Sequence, residues 1–136
     1  DVIVGTRGET EEYFEDAYHF IEGLDVTQLH VFTYSERPGT QALKIDYVVP
    51  AEEKHQRSQR LLALSDEKTK AFYARHIGQE AKVLMEKSKA GMPMHGFTEN
   101  YIRVELEHDD SLDNHLVQVR MGEFNEDGTA LKGELV

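Results

Sequence analysis

Four consecutive side chains, Tyr34, Ser35, Glu36 and Arg37, put a phenol, a hydroxyl, a carboxylate and a guanidinium next to one another. Such a group can donate to, accept from and neutralise a polar ligand, which suits binding and orienting a small molecule. A loop that merely caps a core strand is the other reading. A second group, Gly5-Thr6-Arg7-Gly8-Glu9-Thr10, is a glycine-punctuated loop of the kind that can cradle phosphate ahead of a helix. Glu9, Glu11 and Glu12 would repel an anion there, and no Walker lysine is present. A neutral or zwitterionic small molecule fits better, unless the two glycines serve only to let the chain turn sharply.

The elements around these groups decide whether they meet. Residues 29–34 alternate and are rich in strand formers, and Pro38-Gly39 suits the centre of a type II turn that stops the strand. Residues 1–5 open with an apolar run typical of a parallel strand buried on both faces. Between them, Thr10 is an N-cap with Glu11 and Glu12 in the first turn. Phe14, Ala17, Ile21 and Leu24 recur at helical spacing, predicting a helix over 11–23. Strand, helix and strand make one βαβ unit, and its crossover brings residues 5–10 and 34–37 to the same sheet edge, where α/β folds meet ligands.

Pro50, at a first helical position, with Glu52 and Glu53 starts a long helix over 51–76, roughly 38 Å at ~1.5 Å per residue. Leu61, Leu64, Ala71 and Phe72 give it an apolar seam. Lys54, Arg57 and Arg60 fall on the opposite flank, a face that is either simply solvated or open to RNA phosphates. From residue 77 the texture changes to short alternating strands around Ala81, Val83 and Met85, then Ile102, Val104 and Leu106, then Val117, Val119 and Met121. Turns are expected at 89–96 and 125–128, and a last strand at 131–136. Four or five strands in this length predict a small closed OB-like antiparallel barrel. The fold class expected is therefore α+β, with domains over 1–76 and 77–136.

The chain has 136 residues, 39% of them apolar, no cysteine and a net charge of −11. No thiolate metal site, iron–sulfur cluster or disulfide can be held by these residues alone. No run is long enough to span a membrane, and the lack of cysteine fits a cytoplasmic setting. The charge is uneven: net −7 over residues 1–50, +2 over 51–76 and −6 over 77–136. Contact with nucleic acid must therefore be local. In the barrel, Lys87 and Lys89 with Tyr101 and Arg103 could offer phosphate contacts and stacking; a turn with two exposed lysines is the plainer alternative. His108, Asp109, Asp110, Asp113 and His115 read as an acidic surface loop rather than a metal site.

Three motifs carry a resemblance. Asp1-Val2-Ile3-Val4-Gly5-Thr6-Arg7-Gly8-Glu9-Thr10 resembles the Asp-x-Ile-x-Gly-Phe-Pro-Gly-Glu-Thr signature of radical S-adenosylmethionine tRNA methylthiotransferases, with Thr6 and Arg7 in place of Phe-Pro. Phe32-Thr33-Tyr34-Ser35-Glu36-Arg37-Pro38-Gly39-Thr40-Gln41-Ala42 is similar to their Phe-x-Tyr-Ser-x-Arg-Pro-Gly-Thr-x-Ala. Gly96-Phe97-Thr98-Glu99-Asn100-Tyr101-Ile102-Arg103-Val104 resembles the core of a TRAM domain. The resemblance spans the chain and is strongest to the threonylcarbamoyladenosine branch, which acts at position 37 of tRNA. It implies the C-terminal part of a longer enzyme: a βαβ remnant of a partial (β/α) barrel, a linking helix and a TRAM barrel.

The resemblance further implies that the parent holds S-adenosylmethionine and two 4Fe-4S clusters, the clusters on cysteines of a missing N-terminal part, so that this chain alone binds no cofactor and is inactive. Ile3, Gly5, Tyr34, Ser35 and Arg37 fall on the cofactor rim. Arg57, Arg60, Lys87, Lys89, Tyr101 and Arg103 are the candidate tRNA contacts. A βαβ unit without its barrel neighbours is also expected to self-associate through exposed strand edges. A stand-alone OB-like RNA-binding module is the competing reading.

Overall fold

The computed structural model describes residues 1–136, which divide into two compact units, Asp1–Ala71 and Phe72–Val136. In the first, β1 (Val2–Val4) and β2 (Val31–Thr33) lie parallel, with Val2 opposite Val31, Ile3 opposite Phe32 and Val4 opposite Thr33. The helix α1 (Glu11–Glu22) joins them. Its N-cap is Thr10, whose hydroxyl accepts from the Tyr13 N–H at 3.2 Å. The long helix α2 (Ala51–Ala74) follows a one-turn 3-10 segment at Gln41–Lys44. Pro50 is its cap rather than its first helical residue, since the Pro50 carbonyl accepts from the Lys54 N–H.

One face of the β1–β2 pair packs on both helices. Val4, Phe14, Leu29, Leu61 and Leu64 form the core of this unit, and complete burial of an aliphatic side chain contributes ~1.5–3 kcal/mol. The other face is open, with Ile3 and Phe32 more than half exposed. The expectation of a strand buried on both faces is thus corrected: a two-stranded sheet here has helices on one side only. Both strands are also shorter than the alternation suggests. Gly5 turns out of the extended region at φ 79°, ending β1. Leu29 is withdrawn from the ladder because its N–H goes to the Ser65 hydroxyl at 2.9 Å, which in turn donates to the Leu29 carbonyl.

In the second unit, β3 (Glu80–Met85), β4 (Met94–Thr98), β5 (Arg103–Leu106), β6 (Leu116–Phe124) and β7 (Leu131–Leu135) close into a barrel in the order β3-β4-β5-β7-β6. Every neighbouring pair is antiparallel except β5–β7, which is parallel. This is compatible with the small OB-like barrel expected. Val83, Met85, Met94, Ile102, Val104, Val119, Met121 and Leu131 point inward, and Tyr73 from the last turn of α2 joins them. The alternation at 81–86, 101–106 and 117–121 therefore reads correctly. The strand β4 does not: residues 94–96 belong to it, not to a turn. Gly96 misleads the eye, since it is required inside the strand, where a Cβ would collide with the Leu84 backbone.

Candidate functional site

In the first unit the C-terminal ends of β1 and β2 carry the loop 5–10 and residues 34–37 to the same edge. The Tyr34 N–H donates to the Val4 carbonyl at 2.8 Å, extending the parallel register by one bond. Arg7 joins the two loops directly: its Nε and Nη2 donate to Glu36 Oε1 at 2.9 and 2.7 Å, and its Nη1 donates to the Leu43 and Ile45 carbonyls. Position 7 therefore carries a fold contact that the Phe-Pro of the resembling motif could not make. Gly8 adds a bond to the Tyr47 carbonyl.

Behind the loop, the Gly5 N–H donates to Glu9 Oε1 at 2.9 Å, and Arg57 Nη1 donates to the same oxygen and to the Glu9 carbonyl. Arg57 is buried, its guanidinium 5.3 Å from the centroid of the Phe14 ring. The expected basic flank is corrected here: Arg57 points into the fold, and phosphate contact by its guanidinium is not open to it. The signal lay in the spacing, because Arg57 stands four residues before Leu61 and seven before Leu64, on the apolar seam itself. Ala71, placed on that seam, is exposed instead. Arg60 is half open, ion-paired to Glu15 and over the rings of Phe14 and Tyr18; this pairing holds the Glu15 carboxyl below the usual carboxylate range.

Among the rim residues, Ile3, Ser35 and Arg37 are exposed and Gly5 is buried. Tyr34 is half buried, with its hydroxyl enclosed and without a partner. Lys54, which the charge pattern placed among the flank cations, belongs with this group: its ammonium lies 5.4 Å from the Tyr34 ring centroid and 3.4 Å from the Tyr34 carbonyl. The edge thus combines an apolar wall, Ile3 with Phe32, and a short row of donors.

In the barrel, Lys87 and Lys89 are exposed on the β3–β4 connection, and Tyr101 is exposed on the turn before β5. Arg103 is half buried, with Nη1 donating to Thr129 Oγ1 at 3.0 Å. Tyr101 and Arg103 are brought together by Tyr73, whose hydroxyl accepts from the Arg103 N–H at 3.1 Å and donates to the Tyr101 carbonyl at 3.4 Å. Beneath β5, Asn125 Nδ2 at 2.8 Å holds the Glu105 carboxyl below its ordinary range; burial opposes this, and the His95 ring at 2.9 Å adds to it. The acidic loop is tied to the β3–β4 connection, His108 meeting Ser88 Oγ at 2.6 Å, and within itself, His108 meeting Asp110 at 3.0 Å. No group of three or more His, Cys, Asp or Glu side chains could hold a metal ion.

No family model matches the chain. Curated relatives do. The chain is 34% identical over 125 residues to the threonylcarbamoyladenosine tRNA methylthiotransferase MtaB of Bacillus subtilis, covering 89% of this chain and 28% of that protein. It is 34% identical over 137 residues to the tRNA-2-methylthio-N(6)-dimethylallyladenosine synthase of Aliarcobacter butzleri, covering 100% of this chain and 31% of that protein. A stretch of 88 residues, 65% of the chain and 20% of the relative, is 42% identical to the synthase of the same name from Syntrophotalea carbinolica. The chain belongs to the tRNA methylthiotransferase family, and it spans under a third of the length of these relatives.

Proposed function

We propose that this chain is the C-terminal part of a longer radical S-adenosylmethionine tRNA methylthiotransferase, an enzyme that adds a methylthio group to a modified adenosine of tRNA. Its first unit would be the last strands and helices of a partial (β/α) barrel, and its second a TRAM barrel that grips the tRNA. The observation that carries this reading is the parallel β1–β2 pair, which brings the two family motifs to one edge in register. Homology along the whole chain supports it.

The residues present fit one side of an S-adenosylmethionine site. Ile3 and Phe32, side by side and open, offer a flat apolar wall for an adenine; Tyr34, Ser35 and Arg37 offer polar contacts beside it. S-adenosylmethionine would supply the methyl group. The chain has no cysteine, so the two 4Fe-4S clusters would be held by other residues of the longer protein. No helix is long and apolar enough to cross a membrane, and a cytoplasmic location follows from the tRNA substrate of such enzymes. On the barrel, the exposed Lys87 and Lys89 would meet phosphates together with the half-buried Arg103, and the exposed Tyr101 would stack. Arg60 remains a weaker candidate because Glu15 already neutralises it.

The test is a chimera. The matching segment of the Bacillus subtilis relative is replaced by this chain, and bulk tRNA from a strain lacking that enzyme is analysed by mass spectrometry. Return of the 2-methylthio modification is the expected result. A soluble, cluster-loaded chimera that leaves tRNA unmodified would overturn the reading in favour of a stand-alone RNA-binding module.

A further inference from the structure

The outer face of the barrel carries a row of side chains that extends beyond the motif at 96–104. Leu116, Leu84, Phe97 and Arg103 occupy directly opposed positions on β6, β3, β4 and β5, so they form one continuous line across four strands. Three of them are large apolar groups left in the open: Leu116 is 68% exposed, Leu84 46% and Phe97 40%. A single exposed leucine is ordinary, whereas a contiguous apolar line marks a contact surface. A shallow groove of about 470 Å³ runs over this face, and Tyr101 and Lys82 also line it.

Tyr101 is held there at a cost. It is one of two non-glycine residues with positive φ, at 66°, a region that costs an L side chain roughly 1–2 kcal/mol. Its backbone is fixed on both sides, the N–H to the Thr98 carbonyl at 3.0 Å and the carbonyl to the Tyr73 hydroxyl. Yet its ring is 77% exposed. The strain is therefore not offset by burial of the ring, which stands in solvent at the end of the apolar line.

We propose that this line, with Tyr101, is a stacking platform for unpaired nucleobases of RNA, so that the barrel takes single-stranded or loop nucleotides and not duplex. The proposal rests on the reading of the barrel as a tRNA-gripping module and adds its mode of recognition. The apolar faces, with Tyr101 and Arg103 together at one end of the row and Lys82 at the margin of the groove, suit a base with its flanking phosphate. Glu86 and Glu99 border the same groove. Residues 72–136 hold seven basic and twelve acidic side chains, a net charge of −5. Phosphate attraction summed over this unit is unfavourable, so the bases must supply most of the affinity. A shallow salt dependence follows.

The experiment measures fluorescence anisotropy of labelled RNA with the full 136-residue chain. The probes are an anticodon stem-loop, a single-stranded oligouridylate and a blunt duplex without a loop, each over a range of salt. Stem-loop and single strand should bind and the duplex should not, with a salt slope of roughly one or two phosphates. Tyr101→Gly relieves the positive φ, so its melting temperature should hold or rise while affinity falls roughly 5- to 150-fold, the value of one stacked base. Tyr101→Phe should bind as the parent does, and Phe97→Ala should weaken binding without altering the salt slope. If the stem-loop is bound but Tyr101→Gly binds it equally well, or if duplex is preferred, the platform is wrong and the tRNA-gripping role stands. If none of the RNAs binds, both fall.

Discussion

The aliphatic stem of Lys54 crosses directly over the α-carbon of Gly5, filling the space that a side chain there would need. The same lysine continues to the Tyr34 ring and carbonyl, so one residue of α2 spans the ends of both strands. Gly5→Ala meets both a positive φ and a collision, and should cost roughly 1–3 kcal/mol. Lys54→Ala in the same chain should recover the collision part and leave the backbone part. Urea unfolding of the two single variants and the double variant gives the coupling, and strictly additive losses would mean the stem is free to move aside.

Arg57 carries the neighbouring arrangement. Its guanidinium serves Glu9 twice and reaches Glu53, in a setting where the Arg57 side chain is 7% exposed and that of Glu9 14%. Arg57→Met leaves the Glu9 carboxylate with only the Gly5 amide and should destabilise the chain by about 3–5 kcal/mol in chemical unfolding. tRNA affinity of whatever fraction remains folded should be unchanged. A mild stability loss with strongly weakened RNA binding would return Arg57 to the surface role expected from charge alone.

Glu105 should make the barrel sensitive to acid. The Asn125 amide lowers its carboxyl first, and His95 lowers it further. A carboxyl depressed in the folded state contributes stability that is present above its unfolded value of about 4.3 and is lost as pH falls through the lower folded value. The melting-temperature difference between the parent and Asn125→Ala should therefore be largest at neutral pH and narrow as pH falls through the lowered folded value. A constant offset at every pH would show that Asn125 acts only through its bonds to Thr129 and Ala130.

The exposed lysines give a separate reading of phosphate binding. Charge reversal of Lys87 and Lys89 together should weaken tRNA binding and lower the salt slope, by at most about 0.9 for each phosphate no longer neutralised. Identical slopes for the double variant and the parent would remove this connection from the interface.

Self-association should follow from the open face of the first unit. Both strands of a two-stranded sheet have a free edge, and Ile3 and Phe32 lie unprotected beside each other. Light scattering should show mass rising with concentration, and Phe32→Lys should suppress it. A parent chain that stays monomeric at all concentrations would count against this.

What could be read beforehand depended on whether a feature was local. The parallel pairing of residues 2–4 with 31–33 followed from order and spacing, because a strand, a helix and a strand leave few alternatives. The alternation at 81–86, 101–106 and 117–121 marks the barrel strands Glu80–Met85, Arg103–Leu106 and Leu116–Phe124, with ends that differ by up to three residues. By contrast, Arg57 was misplaced because charge outweighed its position on the seam, and its partner Glu9 lies 48 residues away. The cross-strand line from Leu116 to Arg103 could not be seen at all, since it exists only once four strands have chosen their register.

Tyr73 has one further consequence. It is part of α2 by sequence, yet its ring lies in the barrel interior and its hydroxyl fixes both Tyr101 and Arg103. The helix end therefore acts as a stopper. A polypeptide beginning at Ile77 would retain all five strands of the cylinder and still leave it uncorked, with the ring of Tyr101 no longer held in its aim. Any excision meant to preserve RNA binding must begin before Phe72, eight residues upstream of β3.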